Sequence, residues 1–136
     1  MYFWLIKFCI MPLITLTLLK GRDATEKRNI CDAVHAALVS SGVPAADRFQ
    51  RIIELEPENF IYDASYPDLE VSRTGKFVII EILLSVGRSV KIKRKILTDL
   101  MENLKNKQIL PNDVMVCFKE TAWENWAFAN GTQIHI

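Results

Sequence analysis

The chain has 136 residues, of which 50% are hydrophobic and 24% are charged. This length and composition predict one globular domain with its own core and exclude a disordered chain. The formal net charge of +1 gives no reason to expect a nucleic-acid partner or electrostatic attraction to an anionic membrane.

Residues 1–10 form an apolar, aromatic segment that runs directly into the first predicted strand. The combined stretch approaches one bilayer thickness, but Lys7 and Pro12 interrupt it, so a membrane span is not expected. The segment also lacks the basic start and small-residue cleavage site of a signal peptide. We interpret residues 1–10 as an N-terminal extension: either the product of an upstream start codon, or an extra strand or cover for a partner surface. Residues 11–136 are predicted to form a single domain.

The first predicted strand is Met11–Leu19. Its apolar residues Ile14, Leu16 and Leu18 share one face, and a proline is tolerated at the first residue of a strand. If Met11 is the initiator and is removed, however, Pro12 carries a free secondary amine. An α-amino group titrates near pH 8, and burial lowers its pKa, so this nitrogen could act as a base near neutral pH.

The first helix is predicted to begin at Asp23, which forms a capping-box-like pair with Glu26, and to end near Ser41 and Gly42. A turn then leads to a strand at residues 48–55. The polar segment of residues 56–75 predicts a loop, with a short strand at residues 60–62 as an option. The apolar stripe of the first helix consists of Ile30, Ala33, Val34, Ala37 and Leu38.

The second half begins with a nearly continuous apolar strand at residues 77–84, which indicates a strand covered on both faces. Glu81 interrupts it, and we expect this carboxylate to face an edge or an interface partner. A turn at residues 111–113 leads to a strand at residues 114–118. The second helix between these strands has an apolar stripe of Ile92, Ile96, Leu100 and Leu104.

The three cysteines, Cys9, Cys31 and Cys117, are far apart and odd in number. They form neither a CxxC pair nor a disulfide framework, so we expect buried structural thiols in a reducing compartment, namely the cytoplasm. No phosphate-binding loop, dinucleotide fingerprint or zinc-ligand spacing is present, and we expect no cofactor and no metal.

The two halves of the chain follow the same pattern. Gly21-Arg22 and Gly87-Arg88 each follow an apolar strand, and each is followed after four residues by a Lys-Arg pair and an amphipathic helix. The pattern predicts an α+β fold of duplicated β-α-β units, with a four-stranded sheet and two helices on one face. The other face is expected to be apolar and to be covered by oligomerisation.

Several segments of the chain together resemble the tautomerase superfamily, which includes 4-oxalocrotonate tautomerase and macrophage migration inhibitory factor. The strand start Met11-Pro12-Leu13, the Gly21-Arg22 turn and the doubled β-α-β pattern carry this resemblance. More narrowly, the chain from Met11 to about Gln133 is similar to the malonate semialdehyde decarboxylase-like branch. The segments that carry the narrower similarity are residues 42–50, residues 87–89 with Lys93-Arg94, residues 112–114 and residues 124–131.

The resemblance implies a homotrimer in which an amino-terminal proline is the catalytic group. Pro12 would then be the catalyst, Asp47 its partner carboxylate and Arg88 the residue that binds the substrate carboxylate. One departure concerns the decarboxylase pattern, which has a second arginine two residues before the one matched by Arg88. That position is Val86 here, which favours enol–keto chemistry over decarboxylation.

The residue chemistry supports a reaction on a small 2-oxo acid. Arg88 can hold a carboxylate bidentately, while the neutral amine of Pro12 moves a proton between an enol oxygen and carbon. Three aromatic residues, Phe49, Trp126 and Phe128, would wall the pocket and bind substrate while they exclude water.

Three functions remain open from the sequence. A tautomerase would use Pro12 as a base, whereas a decarboxylase or hydratase would use it as an acid. The protein would be a non-catalytic trimeric interaction protein if residues 1–10 were retained, because the Pro12 nitrogen would then be an amide. Asp47 could also simply cap the turn after Pro44, and Arg88 could form a surface ion pair.

Overall fold

The computed structural model describes residues 12–133, so the predictions for residues 1–10 and for Met11 lie outside the described range. Six elements build an α+β fold, and they follow one another as β-α-β twice. They are β1 (Leu13–Leu19), α1 (Ala24–Ser40), β2 (Phe49–Leu55), β3 (Val78–Ser85), α2 (Val90–Lys105) and β4 (Val114–Thr121).

The four strands form one sheet in the order β2-β1-β3-β4. Within each half the two strands are parallel, and the halves meet where β1 and β3 pair antiparallel. The starts of β1 and β2 therefore lie at the same end of the sheet as the ends of β3 and β4. We call this the first end of the sheet, and we call the opposite end the second end.

The core lies between the sheet and the two helices, and the predicted apolar stripes form it. From β1, Ile14, Leu16 and Leu18 are at most 1% exposed. The full predicted stripe of α1 is buried, together with Ile96, Leu100 and Leu104 of α2, while Ile92 packs against the same cluster. This agreement confirms the predicted 3.6-residue and two-residue periodicities.

Both helices begin as their sequences indicate. The Asp23 carboxylate accepts a hydrogen bond from the Glu26 backbone N–H at 2.8 Å, which confirms the predicted cap. Ser89 caps α2 in the same way and accepts from the Ile92 N–H at 3.2 Å. Such side-chain caps satisfy backbone donors that have no partner inside the helix.

The sheet face away from the helices is mixed in character, so the prediction of an apolar face was wrong in part. Ile53 and Met115 are 41% and 46% exposed there. Arg51, on the same face, donates from Nε to Thr15 Oγ1 at 3.1 Å. The face thus combines exposed apolar side chains with polar groups that already have partners.

Glu81 also lies on this mixed face. The prediction that it faces an edge was wrong, because β3 is an inner strand. Glu81 forms an ion pair with Lys119 of β4, which was not predicted, and the alternative of an interface partner stays a prediction. The hydrogen bond from this ion pair raises the pKa of Lys119.

The segment between β2 and β3 departs from one prediction, because residues 60–62 do not form a strand. Their aromatic side chains pack instead around the buried Phe77 at the start of the second half. The ring centroid of Phe77 lies 5.7 Å from that of Phe60 and 4.5 Å from that of Tyr62. β4 is also longer than predicted and ends at Thr121 rather than at residue 118.

Candidate active site at the first end of the sheet

The start of β1 is enclosed on both sides by neighbouring strands. Leu13 pairs with Phe49 of β2 and with Leu83 of β3. Pro12, which is buried, lies one residue before this position. It therefore lies at the first end of the sheet, between the segment that enters β2 and the segment that leaves β3.

The turn before β2 carries Asp47 to the same end. The Asp47 N–H donates to the carbonyl of Pro44 at 3.0 Å, so this residue is fixed by a backbone turn. His35 of α1 holds the turn from the helix side, with Nε2 2.9 Å from the carbonyl oxygen of Ala45.

The arginine next to Asp47 serves the scaffold rather than the site. Arg48 donates from Nη2 to Asp32 Oδ1 at 2.6 Å and from Nε to Gln50 Oε1 at 2.8 Å. The first of these hydrogen bonds is the main reason why the pKa of Asp32 is below its usual value. Arg48 thus links β2 to α1, and Asp47 and Phe49 on either side of it are held in place.

Arg88 lies in the turn between β3 and α2. Gly87 has φ +112°, a backbone conformation that residues with a Cβ rarely adopt. The Val86 N–H donates a hydrogen bond to the Thr121 carbonyl at 2.9 Å, which holds the turn against the end of β4. The turn therefore holds the half-buried Arg88 directly before Ser89, the N-cap of α2. The positive end of a helix dipole adds to the attraction of a guanidinium for an anion.

The aromatic residues after β4 cross the first end of the sheet. β4 is the strand farthest from β2, yet the Phe128 ring lies 5.7 Å from the Phe49 ring at the start of β2. The Trp126 ring stacks on Phe128 at 5.6 Å with an interplanar angle of 2°. Adjacent strands are about 4.8 Å apart, so the tail spans about 14 Å over the ends of β3 and β1.

This tail brings the three predicted pocket aromatics together in one cluster at the first end of the sheet, with Trp126 stacked on Phe128 and Phe49 tilted against it. Pro12, Asp47 and Arg88 lie on three separate segments that reach the same end. Val86, at the position of the second arginine in the decarboxylase pattern, is 43% exposed and apolar. An aromatic cluster and a guanidinium therefore lie at the same end of the sheet.

Two polar groups at this end were missed by the sequence reasoning. Ser85, the last residue of β3, is 1% exposed, and its Oγ has no hydrogen-bond partner within residues 12–133. The indole Nε1 of Trp126 is also buried without a partner there. Buried polar groups without partners are rare, and here they offer a hydroxyl and an N–H donor to a ligand.

No group of three or more His, Cys, Asp or Glu residues that could hold a metal ion occurs within residues 12–133. In the same part of the chain, neither helix is long and apolar enough to cross a membrane.

Comparison with known proteins identifies the family. Residues 47–129 match the family described as tautomerase enzyme. The chain belongs to the tautomerase family. It is also 31% identical over 125 residues to the probable tautomerase YrdN of Bacillus subtilis (strain 168), a match that covers 89% of this chain and 93% of the relative.

Solved structures of tautomerase-superfamily proteins share the fold. The FG41 malonate semialdehyde decarboxylase inhibited by 3-bromopropiolate has a TM-score of 0.81 and 31% identity, over 89% of this chain and 92% of that one. A second malonate semialdehyde decarboxylase, with decarboxylase and hydratase activities, has a TM-score of 0.81 and 28% identity. This match covers 89% of the present chain and 93% of the decarboxylase chain. A fused 4-OT symmetric trimer has 19% identity and a TM-score of 0.70, and the match covers 90% of the present chain and 95% of the 4-OT chain. At this identity the match shows the fold alone. The chain thus belongs to the malonate semialdehyde decarboxylase-like branch of the tautomerase superfamily.

Proposed function

We propose that this tautomerase acts without a cofactor on a small 2-oxo acid or its enol, with the free amine of Pro12 as the base. The observation that carries the proposal is the aromatic tail, which crosses the sheet end where β1 begins and reaches Phe49 at 5.7 Å. Pro12 is buried, and in the proposed site the aromatic tail covers it and excludes water, which strengthens electrostatic interactions with the substrate.

In the proposed reaction each residue has a separate task. Arg88 holds the substrate carboxylate with paired hydrogen bonds. The neutral nitrogen of Pro12 takes a proton from the enol oxygen or from carbon and returns it to the other position. Asp47 orients the amine or a substrate hydroxyl, while Phe49, Trp126 and Phe128 enclose the substrate.

The pKa of the Pro12 amine decides the direction of proton transfer. Burial disfavours the charged amine and lowers its pKa, whereas the negative charge of Asp47 raises it. A neutral amine at pH 7 is a base and supports tautomerisation. A protonated amine is an acid and supports decarboxylation or hydration.

The second candidate is a decarboxylase or hydratase with Pro12 as the acid. The similarity to two malonate semialdehyde decarboxylases favours it, and the apolar Val86 opposes it, because a second guanidinium would help to polarise the substrate. Release of carbon dioxide from malonate semialdehyde separates the candidates. If the missing guanidinium limits this reaction, Val86→Arg increases decarboxylation relative to tautomerisation.

The first experiment determines the N-terminal residue of the native protein by mass spectrometry, because catalysis by Pro12 requires a free amine. Chains that start at Pro12 and at Met1 are then compared with the enol of phenylpyruvate as substrate. We expect turnover only from the chain that starts at Pro12. Equal turnover from both chains would exclude the proline amine as the base.

A matched pair of variants tests the side chain itself. Pro12→Ala should abolish turnover or reduce it strongly. Pro57→Ala, an exposed proline at the second end of the sheet, should leave turnover unchanged. If the native protein retains residues 1–10, the remaining candidate is a non-catalytic trimeric interaction protein.

The proposal includes assembly and location. We propose a homotrimer in the cytoplasm, since the neighbours that share the fold include a trimer and the cysteine pattern favours a reducing compartment. The partners are then a small carboxylate-bearing substrate and two further copies of the chain.

A further inference from the structure

The two halves of the chain correspond at a constant separation of 66 residues. Gly21 and Gly87 both have positive φ, +120° and +112°, and the N-caps follow at Asp23 and Ser89. The first residues of the helices, at 24 and 90, keep the same separation. The duplication predicted from the sequence is therefore present residue by residue in the backbone.

The same separation relates the proposed site residues to a second pair. Arg88 corresponds to Arg22, and Asp47 corresponds to Asp113. Arg22 follows the end of β1, and Asp113 precedes the start of β4, so both lie at the second end of the sheet. The residue that corresponds to Pro12 is Val78, whose nitrogen is a peptide amide within β3.

A cavity of about 270 Å³ lies between this second pair of residues. The side chain of Arg22 lines it and is only 5% exposed. Its Nη2 donates to the carbonyl oxygen of Lys76, and its Nε lies 2.8 Å from Glu26 Oε2. Neither Nη1 nor Nε has a hydrogen-bond partner among the described residues, although both atoms are buried, so the contact of Nε with Glu26 is an ion pair only. Buried polar groups normally have a hydrogen-bond partner, so an oxygen atom of a water or of a ligand in the cavity would complete the hydrogen bonding of this guanidinium.

The charges around the cavity favour an anion. Three cations, Arg22, Lys76 and Lys107, line it with two carboxylates, those of Glu26 and Asp113. Both oxygens of Asp113 are already bonded, one to the N–H and one to the hydroxyl of Thr74, each at 2.7 Å. The carboxylate of Glu26 is shared between Arg22 and Lys76, so the lining keeps one excess positive charge.

We propose that this cavity is a second, non-catalytic binding site for a small monocarboxylate, anchored by Nη1 of Arg22. The volume of the cavity is slightly below the usual range for small-molecule sites, which limits the ligand to a few heavy atoms. The absence of a proline amine at Val78 means that an acid bound there is held and not converted. The proposal of this site is based on the geometry of the cavity and does not depend on catalysis at Pro12.

The test observes the two ends of the sheet separately. The full chain with Arg88→Gln, which weakens the first site, is titrated with propionate at constant ionic strength. Backbone amide shifts of Thr74 and Ile109 report on the second site, and those of Phe49 and Ser89 report on the first. We expect saturable shifts at Thr74 and Ile109 with propionate, and none with the neutral isostere propionamide.

Three further variants in the same background identify the anchor. Arg22→Gln should weaken binding about tenfold or more, since hydrogen bonds to charged groups are strong. Lys107→Gln should weaken it by a smaller factor, and the exposed Arg94→Gln should have no effect although it removes the same charge. If Arg22→Gln fails to fold, Lys107→Gln decides the question.

The proposal is overturned by any of four results. These are no saturable shift at Thr74 and Ile109, equal shifts with propionamide, unchanged affinity in a folded Arg22→Gln protein, or an affinity that responds to Lys107→Gln no more than to Arg94→Gln. Loss of turnover in Pro12→Ala with propionate binding intact would show the second site to be independent of the first. Binding here with no activity at Pro12 would contradict only the proposed catalysis.

Discussion

Phe128 packs against Phe49 with ring centroids 5.7 Å apart, and this contact joins the segment after β4 to the first residue of β2. These two strands occupy opposite edges of the sheet. The contact therefore fixes the tail across the ends of the two inner strands. In the proposed reaction this cover keeps water away from Pro12.

Removal of the Phe128 ring should lower turnover. Phe128→Ala removes the ring pair, which contributes about 0.5–1.5 kcal/mol beyond its buried area, and opens the cover above Pro12. We expect kcat/KM for the enol of phenylpyruvate to fall about tenfold. Ile61→Ala is the control, because Ile61 is an apolar side chain that is 92% exposed. An equal decrease in both variants would remove the tail from the proposed site.

The role of Arg88 can be separated from general electrostatics by changing protein and substrate together. Arg88→Gln should lower kcat/KM for a 2-oxo acid about 10- to 100-fold, because this factor corresponds to the free energy that a hydrogen bond to a charged group contributes. Arg88→Lys should recover part of the loss, because an ammonium cannot reproduce the bidentate geometry. For the methyl ester of the same acid, the same substitution should lower kcat/KM much less.

The matched control for Arg88 is Arg94→Gln, which removes the same charge from an exposed position on α2. Steady-state kinetics on the acid and its ester provide the measurement. If Arg88→Gln reduces turnover of the acid and of the ester by the same factor, the guanidinium does not bind the carboxylate.

The sequence predicted the fold well because the core follows simple periodicities. The stripes on β1, α1 and α2 are all buried, and the Asp23 cap forms the expected hydrogen bond. The partner of Glu81 could not be predicted, because Lys119 is brought beside it only by the pairing of β3 with β4. Such register information is absent from a single sequence.

The predictions for the tail and for the long loop had different outcomes for a related reason. A short strand at residues 60–62 was an option within the predicted loop, but Phe60 and Tyr62 pack around Phe77 in irregular backbone. Phe128 and Trp126 were proposed as pocket walls, yet no periodicity gave the direction of the tail. Ser85 was missed because a serine at the end of an apolar strand reveals its unpartnered hydroxyl only in three dimensions.

The Asp32–Arg48 ion pair should make stability depend on pH in the acid range. The hydrogen bond from Arg48 holds the pKa of Asp32 below its usual 3.8. The folded pKa is lower than the unfolded one, so the contribution is present above about pH 4 and is lost as the pH falls through the folded pKa. The Asp32 side chain is 47% exposed, so solvent screening limits the contribution to less than about 1 kcal/mol.

Asp32→Asn should therefore destabilise the protein slightly at pH 7 and by a smaller amount below pH 4. Urea unfolding at a fixed protein concentration measures the difference, because stability in an oligomer depends on concentration. Asp68→Asn provides the control, since Asp68 is exposed and forms no ion pair within residues 12–133. A destabilisation by Asp32→Asn that does not change with pH would contradict the assigned role of the ion pair.

The sheet face away from the helices offers the clearest test of self-association. Ile53 on this face is 41% exposed, and a homotrimer would bury it. Light scattering should give three times the chain mass of 15.6 kDa for the unmodified protein. Ile53→Lys should shift the population toward monomer, because a lysine at the interface would lose its hydration without a partner. Ile61→Lys adds the same charge on an exposed loop and should leave the mass unchanged, and a trimer in both variants would exclude this face as the interface.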